Sequence, residues 1–427
     1  MRDAIEIQPS GPIRGTIRPP GSKSITNRAL VCAALAEGDS TLTGALDSED
    51  TQVMIDSLRK LGIGVEHDRA ARTLGVCGCG GVLPVNEAAL YVANSGTTMR
   101  FLAALVTLGQ GRFRLDGVPR MHERPIQDLL NALGELGVDA TSELGNGCPP
   151  VIVHAAGLLG GRATIAGNIS SQFLSALLLA LPYAQGPVDL LVSGEMVSQP
   201  YVEITLAVMR AFGVTIEARG LSEFRTPGRL RYRGCSYAIE PDASAASYFF
   251  AAAAVTGGEV TVEGLSADSI QGDVAFCECL RQMGCKVEYG PGAITVRGGP
   301  LRGNLSLNMN AISDTVQTLA AVALLADGPV DISGIAHIRH KETDRIHALA
   351  AELRKLGAEV EERADGLRII PGKLCGAEIA TYDDHRMAMS MALVGLAVPD
   401  IVILDPDCTK KTYPGFFSDL ARLRGRT

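Results

Sequence analysis

The sequence predicts an α/β protein built from six similar units of about 70 residues, grouped as two domains of three. Two observations carry this expectation. An amphipathic helix ending in Leu-Gly or a close variant, followed by an alternating strand, recurs along the chain. Between its copies lies a second kind of helix, apolar on nearly every face, that opens on a helix-capping residue.

The amphipathic helices read, in order, DSLRKLGIGVEHD, LNALGELGVDATSE, AVMRAFGVTIEAR, ECLRQMGCKVEYG and AELRKLGAEVEER. Their closing glycines, Gly62, Gly137, Gly213, Gly284 and Gly357, are spaced 75, 76, 71 and 73 residues apart. In the first copy Met54, Leu58 and Leu61 keep helical spacing, and Val65 begins the next element. Glycine after the last apolar residue stops each helix, because the left-handed conformation needed there suits a residue without Cβ. FFSDLARLRG, near the C-terminus, reads as a truncated sixth copy.

The apolar helices begin GSKSITNRALVCAALAEG, NSGTTMRFLAALVTLGQG, SSQFLSALLLALPYAQG, DASAASYFFAAAAVTGG, SDTVQTLAAVALLADG and DDHRMAMSMALVGLAVPD. Each opens with Ser, Asp, Asn or Gly, and each is apolar enough to be buried all round. A Gly, Asp or Pro turn and a short strand follow, as in STLTG, FRLDG, VDLLVSG, EVTVEG and PVDISG. The midpoint break falls at Tyr237 to Ala245. The N-terminal stretch IEIQPSGPIRGTIRPP reads as a strand that fits either domain.

Composition narrows the function. A net charge of -8 argues against a general nucleic-acid binder, yet leaves room for a local basic pocket. There is no Trp and only 4% aromatic residues, which removes the stacking surfaces that single strands need. The ten cysteines are scattered; Cys77/Cys79 and Cys277/Cys279 are C-x-C pairs rather than the C-x-x-C of zinc or redox sites. They read as reduced thiols of a cytoplasmic protein. The opening MRDAIEIQPS has no apolar signal core, and the apolar runs are too short to span a membrane, so a soluble protein is expected.

Charges at the starts of buried helices point to use. Lys23, Arg28, Arg100 and Arg386 stand there, and the loops PRMHERP, RHKETDR and TKK add Arg120, Arg124, Arg339, Lys341, Arg345, Lys410 and Lys411. Helix N-termini offer free N–H donors and a partial positive charge, which with Lys and Arg make anion sites. If six units pack with pseudo-symmetry, these ends converge and imply small, multiply anionic substrates. Asp314, Glu342 and Asp344 sit among the cations and suit acid–base work. Each also has a plainer reading: KETDR as a solvated helix start, SDT as a cap, His385 as structural. His337, His340 and His347 lack the i,i+4 spacing of a metal pair, so no metal is expected. GSKSITNRAL is not a nucleotide P-loop: Gly21 lies two residues before Lys23, the upstream glycine is Gly15, and Pro19-Pro20 intervene.

Taken together, PPGSKSITNRAL, NSGTTMR, DGVPRMHERPI, SSQFLSALLLALP, SQPYVEIT, PDASAASYF, KETDRIHALAAELRKLGAEVEE, DDHRMAMSMAL and PDCTKKTYPGFF resemble the 5-enolpyruvylshikimate-3-phosphate synthase family of enolpyruvyl transferases over essentially the whole chain. The resemblance implies two domains of three βαβαββ units, an inside-out α/β barrel with buried helices, joined by two crossover segments. It places residues 21–239 in one domain and 1–20 with 240–427 in the other, and it implies closure on substrate. It also implies transfer of the enolpyruvyl group of phosphoenolpyruvate to the 5-hydroxyl of shikimate 3-phosphate, by addition and elimination, with no cofactor. This is a step of aromatic amino-acid biosynthesis. The alternative is the sister transfer to UDP-N-acetylglucosamine, whose enzymes carry a reactive Cys in the loop matching PRMHERP; no Cys occurs there.

Carried over by position, the resemblance assigns shikimate 3-phosphate to Lys23, Ser24, Arg28, Ser170, Ser171, Gln172, Ser198, Tyr201, Asp314, His337 and Lys341. It assigns phosphoenolpyruvate to Lys23, Asn94, Gly96, Arg124, Gln172, Arg345, His385, Arg386 and Lys411. Asp314 is the expected base, and Glu342 with Lys23 the proton donor. The resemblance further implies a monomer, and glyphosate as a competitor of phosphoenolpyruvate. Two positions depart from the family pattern: His337 stands where Asn is usual, and Phe101 where Pro is frequent. A non-catalytic repeat protein would explain the periodicity but not the chemistry-bearing residues at these positions.

Overall fold

The computed structural model describes residues 4–425. The chain forms two compact units, Gly21–Ile239 and Met1–Pro20 with Glu240–Thr427; of these ranges, 1–3 and 426–427 lie outside the described residues. The helices of the first unit are α1 (Lys23–Leu35), α2 (Glu49–Lys60), α3 (Gly96–Leu105), α4 (Gln127–Glu135), α5 (Ser171–Ala180) and α6 (Gln199–Ala211). Those of the second are α7 (Ala243–Thr256), α8 (Phe276–Gln282), α9 (Val316–Ala323), α10 (Arg345–Lys355), α11 (His385–Val394) and α12 (Phe416–Arg424).

One sheet shows the wiring shared by the five four-stranded sheets; the sheet of Ala377–Ile379, Ile401–Leu404 and Ala4–Ile7 has three strands among the described residues. Strand Glu87–Tyr91 runs parallel to Gln110–Asp116, with Leu90 opposite Leu115, and α3 makes the crossover. Val151–Ala156 and Asp139–Ser142 then add antiparallel neighbours, reached through α4. Phe113 and Leu115 point into the core, while Arg114 between them is more exposed. The sheet of Gly161–Ala166, Val188–Ser193, Glu223–Thr226 and Glu217–Arg219 repeats this order.

The remaining sheet of the first unit borrows its parallel edge from the far end of the same unit. Ser236–Ala238 pairs with Asp39–Thr43, placing Tyr237 opposite Leu42. In the second unit the borrowed strands come from the N-terminus. Arg14–Ile17 runs parallel to Glu259–Glu263, and Ala4–Ile7 runs antiparallel to Ile401–Leu404. The N-terminal stretch is therefore two strands rather than one. Pro9 and Pro12, which have no N–H to give a ladder, stand between them.

The apolar helices are central, as their sequences require. α1, α3 and α5 pack on one another in the first unit, and α7, α9 and α11 in the second. Where the latter three meet, the hydroxyls of Ser247, Thr318 and Ser390 form a chain, at 3.1 and 3.3 Å. Side-chain caps hold five of the six starts: Ser22 accepts from Ile25 N, Ser95 from Thr98 N, Ser170 from Gln172 N, Asp242 from Ala245 N and Asp384 from Arg386 N. The sixth start differs. α9 begins only at Val316, after a 3-10 turn over Asn310–Thr315, and has no side-chain cap. Asp314, available as that cap, turns its carboxylate to two arginines instead.

The repeat's punctuation is visible in the backbone. Gly62, Gly137, Gly213, Gly284 and Gly357 have φ of 79, 87, 85, 100 and 93°, all left-handed. Gly425, closing the truncated copy, has φ -70° and ends α12 without that turn.

Candidate active site

In the first unit, Lys23 opens α1 and its Nζ lies 3.3 Å from Asp50 Oδ2, at the start of α2. One turn further along α1, Arg28 is 2% exposed. Its Nε donates to Thr205 Oγ1 at 2.7 Å, Nη1 to Ser24 O at 2.8 Å, and Nη2 to Tyr201 O at 3.0 Å and Ser175 Oγ at 3.2 Å. These bonds tie α1 to α5 and α6. Burial pushes the guanidinium down to about 10, still charged at neutrality. Ser198 precedes α6 in a left-handed conformation, φ 52°, and accepts from Tyr201 N. Ser170 caps α5, Ser171 is buried in its first turn, and Gln172 Nε2 donates to Thr97 Oγ1 at 3.2 Å.

A second group surrounds the start of α3. Arg124 Nη1 donates to Asn94 O at 3.0 Å and to Asn94 Oδ1 at 3.2 Å. Arg100 donates to Gly96 O at 3.2 Å and Pro125 O at 2.8 Å. Gly96 leaves room for both: a Cβ there would stand 2.7 Å from Arg100 Nη1 and 2.8 Å from Arg124 Cζ. Phe101 connects this group to the first, since its ring lies 5.1 Å from Arg28 Cζ. The residue that departs from the family pattern thus buttresses a sequence-predicted binding cation.

In the second unit the predicted residues interlock. Asp314 Oδ2 pairs with Arg386 Nη2 at 2.7 Å, and its Oδ1 with Arg345 Nη1 at 3.3 Å and Lys341 Nζ at 4.0 Å. Arg386 Nη1 also donates to Asp314 O at 2.8 Å. Glu342 pairs with Arg345 Nη2 at 2.9 Å and Lys411 Nζ at 3.7 Å. Asp384, fully buried, holds Arg345 Nε at 2.7 Å and Nη2 at 3.2 Å. Four cations (Lys341, Arg345, Arg386, Lys411) thus meet three carboxylates (Asp314, Glu342, Asp384), an excess of one positive charge in a largely buried setting. Burial alone would weaken the charge of Arg345, but Asp384, Glu342 and Asp314 reverse this and raise it above its ordinary value. His337 lies in the 3-10 turn Ala336–His340; burial first, then Lys341, holds it down at about 3, so its ring is neutral. His385 opens α11, is 1% exposed, and its Nδ1 lies 3.6 Å from Asp384 Oδ1.

Sequence reading passed over Asp50, Asp273 and Asp384, and the positioning partners Thr205, Ser175 and Thr97. A signal existed for some of them. Asp50, Tyr201 and Arg345 each stand 12 residues before their unit's closing glycine, Asp273 stands 11 before, and Arg124 stands 13 before. In the five complete copies a charged or polar residue thus stands at or just before the start of the amphipathic helix, as at most starts of the apolar ones. Among the described residues no cluster of His, Cys, Asp and Glu suits a metal ion.

Known proteins of similar sequence carry this architecture. The profile of the family described as EPSP synthase (3-phosphoshikimate 1-carboxyvinyltransferase) matches residues 7–420. A 3-phosphoshikimate 1-carboxyvinyltransferase of Nostoc punctiforme is 48% identical over 417 residues, 97% of this chain and 98% of that protein. The chloroplastic protein of that name from Arabidopsis thaliana is 47% identical over 439 residues, 98% of this chain and 84% of that one. An EPSP synthase structure from Acinetobacter baumannii superposes with a TM-score of 0.81 at 26% identity, covering 98% of both chains. The enolpyruvyl transferase NikO of Streptomyces tendae shares the fold, with a TM-score of 0.79 at 21% identity over 99% of this chain and 98% of that one. With a family profile spanning nearly its full length and relatives near half identity, the chain belongs to the EPSP synthase family.

Proposed function

We propose that this chain transfers the enolpyruvyl group of phosphoenolpyruvate to the 5-hydroxyl of shikimate 3-phosphate, releasing phosphate. The names of its relatives support this acceptor over UDP-N-acetylglucosamine. The observation that carries the residue assignment is the interlocked cluster of the second unit. There two carboxylates fit to move protons are each gripped by cations fit to hold anions.

In the addition step Asp314 takes the 5-hydroxyl proton as that oxygen bonds to C2 of phosphoenolpyruvate, and Glu342, with Lys23 contributing, gives a proton to C3. In the elimination step C3 returns a proton, the bond from C2 to the phosphate oxygen breaks with its electrons leaving on phosphate, and the double bond re-forms. Positioned acid or base groups contribute roughly a hundred- to ten-thousand-fold each. Glu342 meets its role only if it holds a proton, which its pairing with Arg345 and Lys411 opposes. Phosphoenolpyruvate resolves this: its carboxylate and phosphate draw both cations to themselves and release Glu342 to be protonated. Asn94, Gly96, Arg124, Gln172, His385 and Arg386 complete the assignment to phosphoenolpyruvate. Ser24, Arg28, Ser170, Ser171, Ser198, Tyr201, His337 and Lys341 hold shikimate 3-phosphate.

The same reading makes glyphosate a competitor of phosphoenolpyruvate and the working form a cytoplasmic monomer. No helix among the described residues is long and apolar enough to cross a membrane. The test is phosphate release from phosphoenolpyruvate, measured with each acceptor in turn. Release with shikimate 3-phosphate alone is expected; release only with UDP-N-acetylglucosamine would overturn the reading.

A further inference from the structure

We propose that Asp273 is a positioning residue that acts through Arg386, governing how much of that guanidinium's charge is available to phosphoenolpyruvate. The inference rests on the assignment of Arg386 to phosphoenolpyruvate given above.

Asp273 is 4% exposed and sits in the 3-10 turn Gly272–Ala275. That turn packs against the turn of Asn310–Thr315, which bears Asp314, and against α7 and α8. Ser244, in the first turn of α7, donates its hydroxyl to Asp273 Oδ2. The neighbouring Gln271 is locked in turn: its Oε1 accepts from Ala243 N at 3.1 Å, and its Nε2 donates to Pro241 O at 2.7 Å. The carboxyl is therefore fixed at the N-terminus of α7, beside a cluster already holding three others.

The groups that act on it come from each element around it. Asp314 stands on the adjoining turn, Asp242 caps α7, and Arg386 opens α11; α7 adds Ser244, and its Tyr248 phenol accepts from Arg386 at 3.5 Å rather than acting on the carboxyl. α8, which packs on the same turn, carries the buried Cys277 thiol, kept protonated by that burial and so adding no charge. Burial first, and then the charge of Asp314, push the Asp273 carboxyl up to about 7, with Ser244 and Arg386 opposing. Ionisation of Asp273 therefore adds a second negative charge beside that of Asp314, which is already paired with Arg345 and Arg386. The second charge competes with phosphoenolpyruvate for Arg386.

The experiment is the pH dependence of KM for phosphoenolpyruvate, at saturating shikimate 3-phosphate, in the native enzyme and in Asp273→Asn. In the native enzyme KM rises about tenfold between pH 6 and 8.5, the effect of about one unit charge acting on a partly buried cation. In Asp273→Asn most of that rise disappears and kcat is little changed. The substrate phosphates titrate alike with both enzymes, so the difference between profiles belongs to Asp273. Ser244→Ala supplies a second measurement: without its donor to the ionised carboxylate, the rise moves to higher pH. Superimposable profiles for Asp273→Asn and the native enzyme overturn the proposal. If Asp273→Asn does not fold, an unmoved profile in Ser244→Ala does so. Failure of the underlying assignment is seen separately, as an Arg386→Lys enzyme with unchanged KM for phosphoenolpyruvate.

Discussion

One methyl group added at Gly96 probes the phosphoenolpyruvate assignment most directly. Ordinary contact between heavy atoms begins near 3.5 Å, so a Cβ 2.7 Å from Arg100 Nη1 is about 0.8 Å too close to it, and Arg124 Nη2, which the methyl would meet first, is crowded by more than that. Both side chains end in flexible heads, but neither head is loose. Asn94 holds Arg124 through two oxygens, and Gly96 O and Pro125 O hold Arg100. The backbone itself is not strained by the change, since Gly96 is absent from the positive-φ residues and opens a helix in which Ala is the better former. The cost therefore falls on Arg124 as a ligand. A charge-assisted hydrogen bond contributes about 1.5–3 kcal/mol, and a head displaced by about an ångström loses part of it, about 1 kcal/mol. Gly96→Ala should raise KM for phosphoenolpyruvate about fivefold, at 1.4 kcal/mol per tenfold, and leave kcat within about twofold. Inhibition by glyphosate should weaken by a larger factor. Steady-state phosphate release gives both numbers, and thermal unfolding checks that the fold is intact. An unchanged KM together with unchanged inhibition would refute the placement of Arg124 and Gly96 in that pocket.

Replacing Asp314 by Ala should slow turnover by roughly a hundred- to ten-thousand-fold while phosphoenolpyruvate binding, followed by calorimetry, stays mostly intact. Arg28→Lys should lower stability by about 2–4 kcal/mol in urea unfolding, because an ammonium cannot reach the four oxygens that the guanidinium fork joins. Stability should also carry the mark of Asp273. Its folded-state value near 7 exceeds the ordinary 3.8, so between about pH 4 and 7 the folded chain binds more protons than the unfolded one. Stability then falls as pH rises through that window, by up to about 1.4 kcal/mol per unit, and Asp273→Asn should lose that slope in urea titrations.

Much of the architecture was legible because a repeat multiplies weak signals. One Leu-Gly is noise, but five at nearly constant spacing define a unit, and all five glycines are left-handed. What was hidden depended on pairing between distant segments. Ser236–Ala238 is too short and too exposed to announce itself, and the division of the N-terminal stretch into Ala4–Ile7 and Arg14–Ile17 is decided only by their partners across the ladder. The site followed the same division. Lys23, Asp314, Glu342 and Arg386 were visible at helix starts. Asp273 was not, because its importance lies in burial beside Asp314 and Arg386, which local sequence does not encode. Asp314 also shows a local rule giving way. Its place favours capping, but two guanidiniums outbid the backbone N–H groups, and α9 starts late.

The borrowed strands set an order in time for a chain made from its N-terminus. The first unit is a single uninterrupted segment, so every strand it needs has been synthesised once Ser236–Ala238 emerges. The second unit is split around it. Its strands Ala4–Ile7 and Arg14–Ile17 are made first yet find their partners, Ile401–Leu404 and Glu259–Glu263, only after more than two hundred further residues. Until then two edge-forming segments wait unpaired, a state that favours association with other chains. The brevity of both segments, four residues each, and the Pro9 and Pro12 between them keep that waiting stretch a poor template for misassembly.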